Sequence, residues 1–333
     1  MGKMNALYVL EPNKIEIKEI AIPEPGPADV LIKVMASGIC GTDIHILKGE
    51  YIGDYPVIPG HEFSGIVKKT GSQVKRIKVG DHVAVEPNIA CDNCSFCLEN
   101  QQNYCENWAA TGVTLPGGME QYVCVPEKAV FNIDGLSFEE GAFVEPLSCV
   151  LHGVQELNIS IADKVLIIGS GPIGMLLLQT LKLKGVSHIT VVDVDRERLE
   201  IASQLGADQV YLSLDSVPKD HFEIVVDATG VPALMSQTIN FAKKGAEILL
   251  FGVPPKKNVE FYAFDIFLKG LKLMSSYTSV RNSQQALSML ASGKINIKPL
   301  ISHKLPLKDF SKAIDMIGSK SEKTLKVLIM PNE

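Results

Sequence analysis

The chain of 333 residues has no excess of positive charge: 32 Lys and Arg stand against 38 Asp and Glu, a formal net charge of −6. No basic stripe offers a surface for nucleic acid or an anionic membrane. Uninterrupted apolar runs are also missing. Residues 165–181 approach the length of a membrane span, but Gly169, Gly171, Pro172 and Gly174 break the run and Gln179 adds a polar group. The opening MGKMNALYVL has no apolar run ending in a small-residue cleavage site, and Ala6 stands where a myristoylation signal carries Ser or Thr. A soluble cytoplasmic protein is expected. No repeat or low-complexity tract is present, and a composition 46% hydrophobic and 21% charged excludes a disordered chain. The length suggests about two domains.

Cysteine is not scarce, but its number is odd. Seven occur, and four crowd into one stretch, Cys91-x2-Cys94-x2-Cys97-x7-Cys105. In a reducing compartment such crowding means metal or redox chemistry rather than disulfides. Four soft thiolates suit tetrahedral zinc, and a closed sulfur shell leaves no open position, so this metal is expected to be structural. The flanking Asp92, Asn93, Ser95, Glu99 and Asn100 are loop-like, so the metal would hold the lobe in place of a core. A redox dithiol, a disulfide pair and an iron–sulfur cluster are the alternatives.

The first 150 residues read as β-rich. Short apolar strands at 6–10, 15–20, 30–36, 65–69 and 82–86 are separated by turns such as Pro23-Glu24-Pro25-Gly26-Pro27. From about 151 the pattern changes to alternating strands and helices. Strands are expected at 164–169, 189–193, 222–227 and 247–251, with helices at 172–184, 196–205 and 231–243. That alternation implies a parallel sheet built from βαβ units. The last 50 residues hold helices at 283–291 and 307–317 and a final strand at 326–330. The tail lysines (Lys294, Lys298, Lys304, Lys308, Lys312) alternate with apolar residues and read as a solvated face.

Gly169-Ser170-Gly171-Pro172-Ile173-Gly174 matches G-x-G-x-x-G, and here it follows an apolar strand and opens a helix. The first glycine makes a tight turn, the second lets the backbone approach a pyrophosphate at the helix N-terminus, and the third lets helix and strand pack closely. Asp193 ends the next strand at the expected spacing of roughly 20 residues. Its carboxylate can accept hydrogen bonds from a ribose diol and would repel a 2′-phosphate. Arg196 keeps NADP open, but Asp193 favours NAD.

A second set of candidate ligands is dispersed. Cys40 lies in Gly38-Ile39-Cys40-Gly41-Thr42-Asp43-Ile44-His45, His61 in Gly60-His61-Glu62, and Glu145 in Glu145-Pro146-Leu147-Ser148-Cys149. One Cys, one His and a carboxylate can leave a coordination position open for water or substrate. Individually each has a structural reading: a small core residue, a turn histidine, a helix-start carboxylate.

The order GICGTD, GHE, the four-cysteine lobe, EPLSC, GSGPIG and FGVPP resembles the zinc-dependent medium-chain dehydrogenases, and within them the sorbitol (polyol) dehydrogenase branch, with threonine dehydrogenases nearby. The resemblance runs over essentially the whole chain. It implies an α/β protein, a GroES-like β domain carrying both zincs (1–150), a Rossmann domain with a doubly wound parallel sheet (151–279), and a return of the chain to the first domain (280–333). It also implies roles. Cys40, His61 and Glu62 sit at the catalytic zinc. Glu145, rather than Cys149 four residues on, matches the third protein group there. Thr42 matches the hydroxyl that touches the reacting alcohol, and His45 the end of a proton relay. Thr229, Gly230 and Val253 match positions lining the cofactor, and Asp193 the ribose-binding acid.

The activity so implied is oxidation of a secondary alcohol of a polyol or related sugar derivative by hydride transfer to NAD, with two zincs per chain, in a homo-oligomer that the family suggests is a tetramer. Neither nucleic acid nor membrane is an expected partner. Polyol dehydrogenases of this branch often carry an arginine next to an aromatic residue after the last Rossmann strand. Here the stretch reads Ser275-Ser276-Tyr277-Thr278-Ser279, with Arg281 displaced, so threonine or a vicinal diol such as butanediol stays open as substrate. A non-catalytic protein that binds NAD or zinc is the alternative of a different class. Tyr51 and Trp108 could line a cleft or serve packing.

Overall fold

The computed structural model describes residues 2–52, 54–319 and 324–333. The chain divides into two compact units. One comprises Met1–Ser148, Ser279–Gly293 and Ile301–Glu333, the other Cys149–Thr278 and Lys294–Leu300.

The first unit is built around the strand Asp29–Gly38, in which Val30, Ile32 and Val34 are fully buried. It pairs antiparallel with Glu62–Thr70, with Tyr122–Pro126 and with the C-terminal strand Lys326–Met330. His82–Val85, Val130–Asn132 and Ile301–Pro306 complete a seven-stranded sheet. Its apolar side, with Phe63, Val67, Val83, Val123 and Val130, forms one core. The register pairs Gly38 with both Glu62 and Leu328. Two chain segments that are remote in sequence therefore leave the sheet side by side, one running on to Cys40 and the other arriving from His61. An N-terminal hairpin, Lys3–Glu11 against Lys14–Ala21, turns through Asn13 at φ 62°. Tyr51 and Trp108 belong to one apolar cluster with Ile46 and Val57, so packing accounts for both.

Glu120 in this unit is 2% exposed, and burial pushes its carboxyl up to about 8. A folded value above the unfolded one of 4.5 means that the native state holds a proton the unfolded chain releases. Stability is then lost as pH rises from about 4.5 through about 8. Glu120→Gln is expected to remove this loss. Its melting temperature, compared with that of the parent, should gain most at about pH 8 and least at about pH 5. Equal differences at the two pH values would contradict the assignment.

The second unit holds a six-stranded sheet in the order Gln209–Tyr211, His188–Val192, Lys164–Ile168, Phe222–Asp227, Ala242–Leu250, Lys272–Ser275, with every pair parallel. Numbered along the chain this is 3-2-1-4-5-6, the doubly wound arrangement whose ligand crevice lies at the carboxyl ends of the strands where the order reverses. The strands on either side of that reversal end at Ile168 and Asp227. The helix Pro172–Leu183 packs an almost wholly buried face on the sheet.

Two expected elements differ. Residues 231–243 do not form one helix. Two short helices, Pro232–Met235 and Thr238–Phe241, take their place, and the next strand already begins at Ala242. The Thr238 hydroxyl donates to the Met235 carbonyl at 2.7 Å, a local bond that competes with helix continuation. Ala242 pairs with Phe222 in the sheet. Residues 307–309 form a 3-10 turn, and the α-helix proper is Phe310–Gly318. The tail lysines Lys294, Lys298, Lys304, Lys308 and Lys312 are all exposed, as their pattern suggested.

Candidate active site and metal centres

Among the described residues, two groups of His, Cys, Asp or Glu lie close enough to hold a metal ion: Cys91, Cys94, Cys97 and Cys105, and Cys40, His61 and Glu62. Within each, the donor atoms lie within 4.8 Å of one another.

In the lobe, Cys91 Sγ is 4.0 Å from Cys97 Sγ, and Cys94 Sγ is 3.9 Å from Cys105 Sγ. A tetrahedron with Zn–S bonds of about 2.3 Å has edges of about 3.8 Å, so the thiols fit zinc. All four are free. The lobe lacks an apolar core of its own: Phe96, Leu98 and Tyr104 are exposed, whereas Cys97 and Cys105 are buried together with the polar Gln102 and Asn103. The Asn93 backbone N–H foremost pushes the Cys91 thiol down to about 6, whereas burial pushes Cys97 up to about 12.

The second group is assembled by helix geometry. Cys40 is the N-cap of the helix Gly41–Lys48, and the cap puts Asp43 in its first turn. Asp43 is buried. Its Oδ2 accepts from the Cys40 N–H at 2.8 Å and its Oδ1 from the Gly60 N–H at 3.1 Å. The same Oδ1 lies 3.5 Å from His61 Nδ1. One carboxylate thus ties together the two loops that carry Cys40 and His61, and with Nδ1 on the Asp43 side, Nε2 of His61 is the nitrogen that would take a metal, a common arrangement for ligating histidine. Burial alone would lower the His61 imidazole, but the Asp43 carboxylate and the Cys40 sulfur outweigh it and hold the ring well above its usual range. A metal ion there would displace that proton.

Asp43 was absent from the candidates, although it stands three residues after the capping cysteine, where a carboxylate reaches back to the N-cap N–H. Lys326 was also missed. Its ammonium is buried on the C-terminal strand, ion-pairs with Glu62 Oε2 and donates to the Ile39 carbonyl at 3.1 Å.

Glu145, 8% exposed, lies in the first turn of the helix Val144–Gln155, outside the three-residue group, and its charge reaches Lys326. Cys149, one turn further along the same helix, is half-buried. Thr42 is the second residue of the helix Gly41–Lys48 and half-buried. His45, on that helix, bonds through Nδ1 to Glu50 Oε2 at 2.9 Å.

In the second unit the glycine loop follows the strand Lys164–Ile168. Gly169 has φ 100°, and a Cβ there would sit 2.6 Å from Thr229 Cγ2. A Cβ on Gly174 would run into the Gly169 carbonyl, whereas Gly171, the N-cap of the 12-residue helix Pro172–Leu183, faces open space. The fold itself therefore needs glycine at 169 and 174. At 171 the missing side chain leaves room for an outside group beside the free N–H groups of the helix start, which include Ile173. Asp193 is tied to this loop: its Oδ2 accepts from the Ser170 N–H at 2.6 Å and from the Ser170 hydroxyl at 2.9 Å. Arg196 is exposed at the start of the helix Arg196–Gln204. Buried Asp227 accepts from the Thr229 N–H at 3.2 Å, its hydroxyl at 2.6 Å and the Gly230 N–H at 3.0 Å, holding that turn against Val253.

Residues 26–135 match the alcohol dehydrogenase GroES-like domain, and residues 172–292 match the zinc-binding dehydrogenase family. D-arabinitol dehydrogenase 1 of Uromyces fabae is 33% identical over 99% of this chain and 98% of its own. A zinc-binding dehydrogenase of Sinorhizobium meliloti 1021 bound to NADP superposes with a TM-score of 0.93, at 34% identity over 99% of this chain and 100% of that one. A short chain alcohol dehydrogenase of Escherichia coli CFT073 complexed with NADH gives 0.92, at 29% identity over 99% and 100%. The chain belongs to the zinc-dependent medium-chain alcohol and polyol dehydrogenases. It is an oxidoreductase acting on CH–OH donors.

Proposed function

We propose that this enzyme oxidises a secondary alcohol of a polyol or related sugar derivative to the ketone, with NAD as hydride acceptor. The observation that carries the reading is the convergence of Cys40, His61 and Glu62. Sulfur, nitrogen and oxygen donors from three residues suit a metal that keeps a position open, unlike the all-sulfur lobe. Zinc there, when bound, stabilises negative charge developing on a substrate oxygen, and the nicotinamide takes the hydride. The protein's own part is positioning and proton transfer. Cys40, His61, Glu62 and Glu145 hold the metal and orient the alcohol, Thr42 takes the hydroxyl proton as it releases its own into a relay through the cofactor ribose, and His45, at the end of that relay, passes a proton to solvent. Gly169, Gly171 and Gly174 admit the cofactor's pyrophosphate to the backbone, and Thr229, Gly230 and Val253 line its further course.

Asp193 supports NAD over NADP, since a carboxylate near a 2′-phosphate is repelled at a range where salt screens weakly. Asp193→Ser is expected to narrow the NAD preference in kcat/KM by at least about tenfold. A parent enzyme that prefers NADP would refute this role. The D-arabinitol relative supports a polyol substrate. The free cysteines support a reducing cytoplasm, and the family resemblance supports a homotetramer.

The test is NADH absorbance with sorbitol, xylitol, arabitol, their phosphates, 2,3-butanediol, aldonic acids and threonine, together with metal analysis. Two zincs per chain and turnover of a polyol are expected. One zinc and no turnover would leave a binding protein with the structural lobe alone.

A further inference from the structure

We propose that Lys326 is a positioning residue of the catalytic metal centre: it holds Glu62 by Oε2, presents the other carboxylate oxygen to the metal, and supplies a positive charge that offsets part of the acidity there. The inference rests on Cys40, His61 and Glu62 being that centre.

Three observations carry it. Lys326 is 5% exposed and Glu62 is 1% exposed, and the two are directly ion-paired. A lysine is almost never buried without a partner, and here the ammonium also donates to the Ile39 carbonyl, next to Cys40. Second, the space for the pair is made by the backbone. A Cβ on Gly38 would collide with Glu62 Oε2 and approach Lys326 Cε to 2.9 Å. Gly38 has an ordinary strand neighbourhood, paired with Glu62 and Leu328, so its small size serves the pair rather than a turn. Third, the centre is rich in acidic groups. Cys40, Glu62 and Glu145 all act on Lys326, and buried Asp43 lies against His61. A divalent ion offsets two negative charges there, and Lys326 offsets one more. Without it the centre would carry one more uncompensated negative charge in a buried setting, and the metal's pull on a substrate oxygen would weaken. An anchored carboxylate is also unable to swing into bidentate contact and close the position that the substrate needs.

The experiment compares Lys326→Met, Glu62→Gln and the double variant in the holoenzyme, with cobalt exchanged into the catalytic site and its visible absorption recorded beside steady-state kinetics. Lys326→Met is expected to shift the cobalt bands and to lower kcat by about 10- to 100-fold with a smaller change in KM. Two metals per chain should remain, because removing a cation does not weaken attraction for another. In the Glu62→Gln background, the same lysine substitution should add little. The double variant leaves no unpaired buried charge, so it keeps the test open where the single variant unfolds. Unchanged cobalt bands in Lys326→Met would overturn the proposal, as would a full additional effect on Glu62→Gln. A parent protein that binds one metal per chain would instead refute the catalytic-metal reading beneath it.

Discussion

Glu145→Ala is expected to lower turnover by about 100-fold or more, with the catalytic zinc bound less tightly, while Cys149→Ala keeps its metal and stays within a few-fold of the parent. The two residues are four apart on the helix Val144–Gln155, a spacing that places side chains on one face. Sequence spacing alone therefore cannot choose between them, and a thiolate is as good a zinc ligand as a carboxylate. Burial and charge favour Glu145. It is 8% exposed in the first turn of the helix, and its carboxylate acts on Lys326, the same ammonium that grips Glu62. Glu145 also need not touch the metal directly, since a hydrogen bond to a zinc-held water would serve. Zinc analysis and initial rates on both variants decide the matter. Loss of one zinc in Cys149→Ala with an active Glu145→Ala would reverse the assignment.

How legible these sites were depends on how far along the chain each determinant lies. The nucleotide loop was readable because the strand, the three glycines and the helix start are contiguous, and the acid that ties to Ser170 comes one strand later. The four-cysteine lobe was readable for the same reason. The catalytic group was harder. Cys40 and His61 meet because the register of Asp29–Gly38 on Glu62–Thr70 sets Gly38 opposite Glu62, and a register across twenty-odd residues of loop and helix has no local signature. Family motifs, not periodicity, singled out those residues. Asp43 left a faint local mark in its capping position. Lys326 left none: it opens the strand Lys326–Met330, in a tail whose other named lysines are exposed. Its partner is remote in sequence, and only the folded sheet shows that this lysine points inward. The helix break within 231–243 failed for a related reason, because pairing of Ala242 with Phe222 outweighs local helical spacing.

Cys97→Ser should remove one zinc per chain and lower the melting temperature by more than about 5 °C, leaving the nucleotide loop intact. The lobe has few means of holding itself together. Its apolar side chains Phe96, Leu98 and Tyr104 point outward, and its helix Ser95–Leu98 is one turn long. Gln102 donates to the Cys97 carbonyl at 3.2 Å, and the Cys91 N–H donates to Cys105 Sγ at 3.2 Å, so polar bonds gather around the sulfurs. Serine offers a hard oxygen that rarely ionises near neutral pH. With three thiolates left, the site loses the closed shell that keeps zinc, and the segment between Cys91 and Cys105 loses what stands in for its core. Metal analysis, a thermal melt and limited proteolysis test this together: a new cut between Cys91 and Cys105 should accompany the lost zinc. The same variant should still bind NADH, because the glycine loop and Asp193 belong to the second unit. A variant with full zinc content and an unshifted melt would remove the structural role from the lobe, and the four sulfurs would then have to be read as redox groups.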